Sequence, residues 1–114
     1  MAKYETHLTG DFYELLNCIE TGILHGSLSA SFEDGSDFQR NGIHCAVRVY
    51  ERYSMIGKNR VSMNITLIGD GENLFLSAIT SGGSQAVLFK INTLGEGAFL
   101  NHIVDIVKKY KGAR

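Results

Sequence analysis

Three two-residue turns, Asn41-Gly42, Asp70-Gly71 and Gly82-Gly83, divide the middle of this 114-residue chain into stretches that alternate apolar and polar side chains. Such dipeptides favour tight hairpins, because type I′ turns need positive φ at both central residues, which Gly accepts freely and Asn or Asp tolerates. Register follows from each closure, and a slip of one residue would turn every side chain to the opposite face. Closing Asn41-Gly42 sets Cys45 opposite Phe38 and Tyr53 opposite Ala30, so that Leu28, Ala30, Phe32 and Phe38 share a face with Cys45, Val47 and Val49. Closing Asp70-Gly71 pairs Leu67 with Leu74, Ile65 with Leu76 and Met63 with Ala78. Closing Gly82-Gly83 pairs Ala78 with Val87, Leu76 with Phe89 and Leu74 with Ile91. A short connection after Ser54 keeps Val47 and Val49 on the face of Val61, Met63 and Ile65. One apolar face then crosses five antiparallel strands, with Glu33 to Asp37 as a weak spot for a bulge.

Two helices complete the pattern. Asp11 stands three residues before Glu14, the spacing of an N-cap and its N3 partner, and Phe12, Leu15, Leu16, Ile19 and Ile23 recur at helical spacing until Gly22 or Gly26 ends the run. Thr93 and Glu96 announce a final helix whose stripe is Phe99, Leu100, Ile103, Val104, Val107 and Tyr110. A weakly alternating stretch from Lys3 to Thr9 forms a strand ahead of the first helix. The expected fold is one α+β domain over residues 1–114. It has two layers, with a five- to six-stranded antiparallel sheet and both helices on one face, in the order β-α-β5-α.

That element order is similar to the TATA-box-binding-protein repeat and to the helix-grip fold of the Bet v 1 and START-related lipid-binding proteins. In the helix-grip case the resemblance implies a ligand cavity between sheet and last helix. The stretches Arg48-Val-Tyr-Glu-Arg-Tyr-Ser54 and Ile79-Thr-Ser-Gly-Gly-Ser-Gln-Ala86 resemble a family of small uncharacterised proteins from Gram-positive bacteria, a likeness that implies no activity, cofactor or catalytic residue.

Composition excludes several classes. An apolar fraction of 44% with 20% charged residues is that of an ordinary globular protein, not a disordered one. The N-terminal stretch MAKYETHLTGDF lacks the apolar run of a secretion signal, and no stretch is long enough to span a membrane, so a cytosolic location is expected. Cys18 and Cys45 are expected as buried, unpaired thiols. The net charge of −1 gives no reason to expect nucleic acid or a membrane surface. The distribution is uneven: residues 1–39 carry one Lys against seven carboxylates, and residues 40–60 carry five cations against Glu51 alone. The two halves are expected to neutralise each other on folding.

Motifs for chemistry are sparse. Ser81-Gly-Gly-Ser84 lacks the Lys and the strand-to-helix setting of a phosphate loop and reads as a turn. His7, His25, His44 and His102 show no zinc spacing, and no cofactor or metal is expected. Glu51, with Tyr53 beside it, is aimed by alternation toward the helix-covered face, where the pair would line any cavity. On the outer face the sequence places a polar set, His44, Arg48, Tyr50, Arg52 and Arg60, of the kind that can stack bases and meet phosphates. Farther along it places an apolar set, Ile68, Phe75, Ile79, Ala86 and Leu88. With both helices assigned to the other side, that set has no cover in this chain, which points to a homodimer formed through the sheet. The sequence therefore favours a small non-enzymatic binding or assembly module. A carrier of a small apolar ligand is the alternative, and an enzyme built on Glu51 and Tyr53 ranks third, because no nucleophile and base accompany them.

Overall fold

The computed structural model describes residues 1–26, 30–54, 59–82 and 89–113, and the elements follow in the order β1 (Ala2–Thr9), α1 (Phe12–Leu24), β2 (Ala30–Arg40), β3 (Ile43–Ser54), β4 (Asn59–Asp70), β5 (Asn73–Gly82) and α2 (Phe89–Ala113). All five strands are antiparallel and lie in one sheet in the order β1-β5-β4-β3-β2, with the two helices packed on one face, so the fold is α+β.

The local chemistry of each element is visible. Asp11 caps α1 by accepting the Glu14 amide at 3.0 Å, and Phe12, Leu15, Leu16, Ile19 and Ile23 form its buried stripe. α1 ends at Leu24, where the His25 amide donates to the Thr21 carbonyl. Asn41 and Gly42 both take positive φ, so the first hairpin turns as a type I′ pair and sets Arg40 opposite Ile43 and Phe38 opposite Cys45. Glu33 sits in a bulge between Phe32 and Asp34, which moves Arg52, rather than Tyr53, opposite Ala30.

The second hairpin closes one residue later than its dipeptide suggests. Asp70 pairs with Asn73, and Gly71-Glu72 form the turn with positive φ at Gly71 alone, the pattern of a type II′ turn. Leu67 therefore faces Leu76 and Ile65 faces Ala78, a shift of two residues that preserves the faces.

Two other expectations change. Residues 83–88 lie outside the described residues, but Phe89 and Ile91 belong to α2 and pair with no strand. The second edge of β5 is occupied by β1 from Ala2↔Thr80 to Thr9↔Asn73, which leaves β5 no edge for the hairpin partner expected after Gly82. Consequently α2 starts before Thr93, and the Thr93/Glu96 spacing falls inside the helix. The larger change is at β3. Its register on β4 sets Tyr50 against Met63, Arg48 against Ile65 and Arg52 against Val61, so Ala46, Arg48 and Tyr50 face the helices and Cys45, Val47 and Val49 face away. The connection after Ser54 carries no turn signature, and the one-residue difference there inverts the whole strand.

The core lies between the helices and one face of the sheet. Leu74, Leu76 and Ala78 of β5 and Val61, Met63, Ile65 and Leu67 of β4 meet Leu15, Ile19 and Ile23 of α1 and Phe99, Ile103 and Val107 of α2, all of them buried. Each of these side chains other than Ala78 contributes about 1.5–3 kcal/mol of transfer free energy. Tyr110 fastens the end of α2 to the start of α1, its hydroxyl accepting the Asp11 amide at 2.9 Å. Cys45 is half-buried and Cys18 is exposed on α1, not buried as expected, and the two thiols are free.

Candidate interface on the open face of the sheet

The antiparallel register aligns the outward side chains in rows that cross all five strands. One row runs Phe38, Cys45, Ile68, Phe75, His7, and the row two residues along runs Ser36, Val47, Thr66, Ser77, Glu5. The next runs Asp34, Val49, Asn64, Ile79, Lys3. The first row is apolar over four strands and ends in an aromatic contact, the rings of His7 and Phe75 being 4.9 Å apart. Val47 and Val49 extend the patch along β3, and Phe38 and Ile79 remain 59% and 38% exposed, values that leave large apolar surface in water. Among the described residues both helices lie on the other side and nothing covers these rows.

Ile68, Phe75 and Ile79 lie in this patch, and Ala86 and Leu88 fall outside the described residues. Sequence reasoning missed Phe38, Cys45, Val47 and Val49, because it turned β3 and its β2 partner inward. Glu51 and Tyr53 are likewise on the open face, away from the core, and line an open groove at the end of the sheet with Ser31, Glu33 and Arg60. Glu51 accepts a hydrogen bond from Arg60 at 3.0 Å near the end of the sheet, and Tyr53 is exposed. Of the polar set, only Arg60 is outward.

His44, Arg48, Tyr50 and Arg52 instead stand on the helix side, where α1 and β2 supply partners for His44 and Arg48. Arg48 is nearly buried; its Nε donates to Glu20 at 2.7 Å, its Nη2 meets Asp37 at 2.9 Å, and its Nη1 donates to the Val47 and Ser36 carbonyls. Burial works against this cation, and the hydrogen bonds and charges of Glu20 and Asp37 together outweigh it, holding the guanidinium above its usual pKa. Arg48 of the basic segment is thus neutralised by two carboxylates of the acidic first third, whereas Arg60 pairs with Glu51 within its own segment. The His44 ring meets the Tyr13 hydroxyl at 3.3 Å. Tyr50 is fully buried; loss of hydration, with help from the Glu20 charge and against that of Arg48, pushes its phenol up to about 12. The polar set expected together on the open face is divided: His44, Arg48, Tyr50 and Arg52 face the helices, and Arg60 faces outward.

The sequence matches the model of one protein family over residues 1–111. The chain belongs to DUF6054, a family of unknown function. A search of curated proteins finds no match. Among the described residues of this DUF6054 protein no helix is long and apolar enough to cross a membrane, and no three His, Cys, Asp or Glu side chains gather as a metal site.

Proposed function

We propose that this DUF6054 protein is a cytosolic assembly module whose working unit is a homodimer closed by the open faces of two sheets. The observation that carries it is the orientation of β3, which sends Cys45, Val47 and Val49 to the uncovered side while Arg48 and Arg52 go to the covered side. A strand in a sheet with one wet face does the reverse. Face-to-face packing restores the rule, since the valines then become core.

Two further features favour a second copy as the occupant. The patch is self-complementary about a two-fold axis parallel to the strands, with β4 central in both sheets. Ile68 then meets its own counterpart, Cys45 faces Phe75 of the second copy, Val49 faces Ile79, and Lys3 at one end of its row faces Asp34 at the other. Five strands at ~4.8 Å spacing and about eight residues of length cover on the order of 650 Å² of sheet, close to the ~800 Å² per partner of a standard interface. The unpaired thiols fit a reducing compartment.

Light scattering combined with mass spectrometry of gently purified protein tests this. The expected mass is twice 12.6 kDa, with no retained small molecule. A monomer at ~100 μM, well above the dissociation constant of a standard interface, overturns the proposal. A monomer that carries a small molecule favours the helix-grip-like carrier in its place.

A further inference from the structure

The helix side of the sheet holds an unfinished polar site. A groove of about 610 Å³ between α1 and the β2–β3 hairpin is lined by Glu20, Leu24, Phe32, Asp37, Arg48 and Tyr50, among others. Tyr50 is fully buried, lines this groove, and its hydroxyl has no hydrogen-bond partner. A buried hydroxyl left unsatisfied costs about 1–3 kcal/mol, so such groups are the exception in folded proteins and call for a partner that completes them.

The surroundings restrict what that partner can be. Every nitrogen of Arg48 is engaged: Nε with Glu20, Nη1 with two backbone carbonyls and Nη2 with Asp37. Four of its five N–H groups are thus engaged, and the two carboxylates beside it already outweigh its charge, which disfavours a further carboxylate or phosphate. Two carboxylates against one cation leave an excess negative charge, and both carboxylates keep water-facing surface, at 37% for Glu20 and 68% for Asp37. Each has lone pairs to spare beyond its bond to Arg48. Phe32, half-exposed beside the bulge and edge-on to the Tyr50 ring at 6.0 Å between centroids, adds an aromatic wall of the kind that attracts cations. The phenol keeps its proton at neutral pH, so what its O–H lacks is an acceptor.

We propose that this groove binds a small ammonium ion that carries an oxygen acceptor, in chemical class an amino alcohol. The ammonium group sits against Glu20 and Asp37 beside the Phe32 ring, and the ligand oxygen accepts from the Tyr50 hydroxyl. The site is on the opposite side of the sheet from the dimer patch and does not depend on it.

The test is a titration of the full chain followed by amide NMR, using 3-amino-1-propanol, n-propylamine and propan-1-ol as probes, with sodium chloride matching the ionic strength. Saturable shifts at Phe32, Gly35 and Tyr50 are expected with 3-amino-1-propanol, which should bind about tenfold more tightly than n-propylamine, the worth of one hydrogen bond. Propan-1-ol should bind more weakly still. Tyr50→Phe removes only the orphaned hydroxyl and should bring the two amines to equal affinity, whereas Glu20→Gln should weaken both. Shifts that sodium chloride reproduces overturn the proposal, as does equal binding of the two amines by the unaltered protein, a comparison that needs no variant. A Tyr50→Phe protein that keeps the tenfold preference overturns it too.

Discussion

The two faces of the sheet differ most where β3 crosses it. On the helix side, β5 and β4 present an unbroken apolar surface from Leu74 to Ala78 and from Val61 to Leu67, and β3 contributes Ala46 together with the polar Arg48 and Tyr50. On the open side, β4 and β5 present Ser62, Asn64, Thr66 and Ser77 between their apolar residues, while β3 contributes Cys45, Val47 and Val49. β1, β4 and β5 bury their apolar residues on the helix side, and β3, the third strand in sequence order, is inverted. An inverted strand is costly only if both faces are judged as those of a monomer. On the helix side Glu20 and Asp37 neutralise Arg48, and in the proposed dimer a second sheet would cover the valines of β3.

The largest effect that separates the faces is expected at Phe99, which is fully buried against the helix side. Phe99→Ala should lower unfolding free energy by about 3–5 kcal/mol in urea titrations, while the folded fraction keeps its native mass. A comparable loss of association with little loss of stability would mean that α2, not the open face, holds the assembly together.

Which side a residue falls on was readable only where turn chemistry fixed the pairing. Asn41-Gly42 supplies two positive-φ residues, and the β2–β3 pairing from Arg40 to Asp34 follows from it apart from the bulge. At Asp70-Gly71 the turn slid by one residue, but the pairing moved by two and every side chain kept its face. β3 and β4 are joined through residues 55–58 with no such signature, so their relative register had to be chosen from apolar content. Content misleads there, since Val47 and Val49 look like core and Arg48 and Tyr50 look like surface. The signal for the correct choice was present in the charges. An inward Arg48 needs carboxylates from elements packed on it, and Glu20 on α1 and Asp37 on β2 belong to the acidic first third. The strand expected after Gly82 failed for a different reason: nothing in local sequence says that β1 will take the edge of β5 first.

Tyr50 gives the next largest effect and marks the polar half of the helix side. Its phenol is raised from the ordinary value of 10.0 to about 12 in the folded protein, chiefly by burial. The folded state therefore holds the proton more tightly than the unfolded chain. Stability from this group is intact below pH 10 and is lost as pH rises from 10 toward 12, by about 2–3 kcal/mol for two pKa units. Other tyrosines and lysines titrate in the same range, so the informative quantity is the difference from Tyr50→Phe. That variant should be as stable as the parent or up to about 1 kcal/mol more stable at pH 7, and it should gain on the parent steadily above pH 10. A Tyr50→Phe protein that is weaker at pH 7 would show that the hydroxyl has an acceptor after all.

On the open face the same kind of change should move association and not folding. Phe75 is half-buried in the single chain and belongs to the apolar row. Phe75→Ser should raise the dimer dissociation constant about thirtyfold, near 2 kcal/mol, the scale of an interface hot spot. The unfolding free energy of the diluted, monomeric protein should change by less than about 1 kcal/mol. Sedimentation across a concentration series separates the two quantities. If Phe75→Ser instead unfolds the chain at every concentration, the row is core to the monomer.

The smallest expected effect is at Glu51, whose inward placement would have been the starting point for an enzyme. It stands on the open face at the end of the sheet, paired with an Arg60 that is 75% exposed, and water screens such a pair strongly. Glu51→Gln should therefore change stability by no more than about 0.5 kcal/mol, a shift of the urea midpoint near the limit of detection. Beyond the apolar rows, it should also leave the dimer dissociation constant within about twofold, because rim charges act mainly on encounter rate. A tenfold loss of association would extend the contact surface from the Phe38 row to the far end of β3 and put Glu51 at the interface itself.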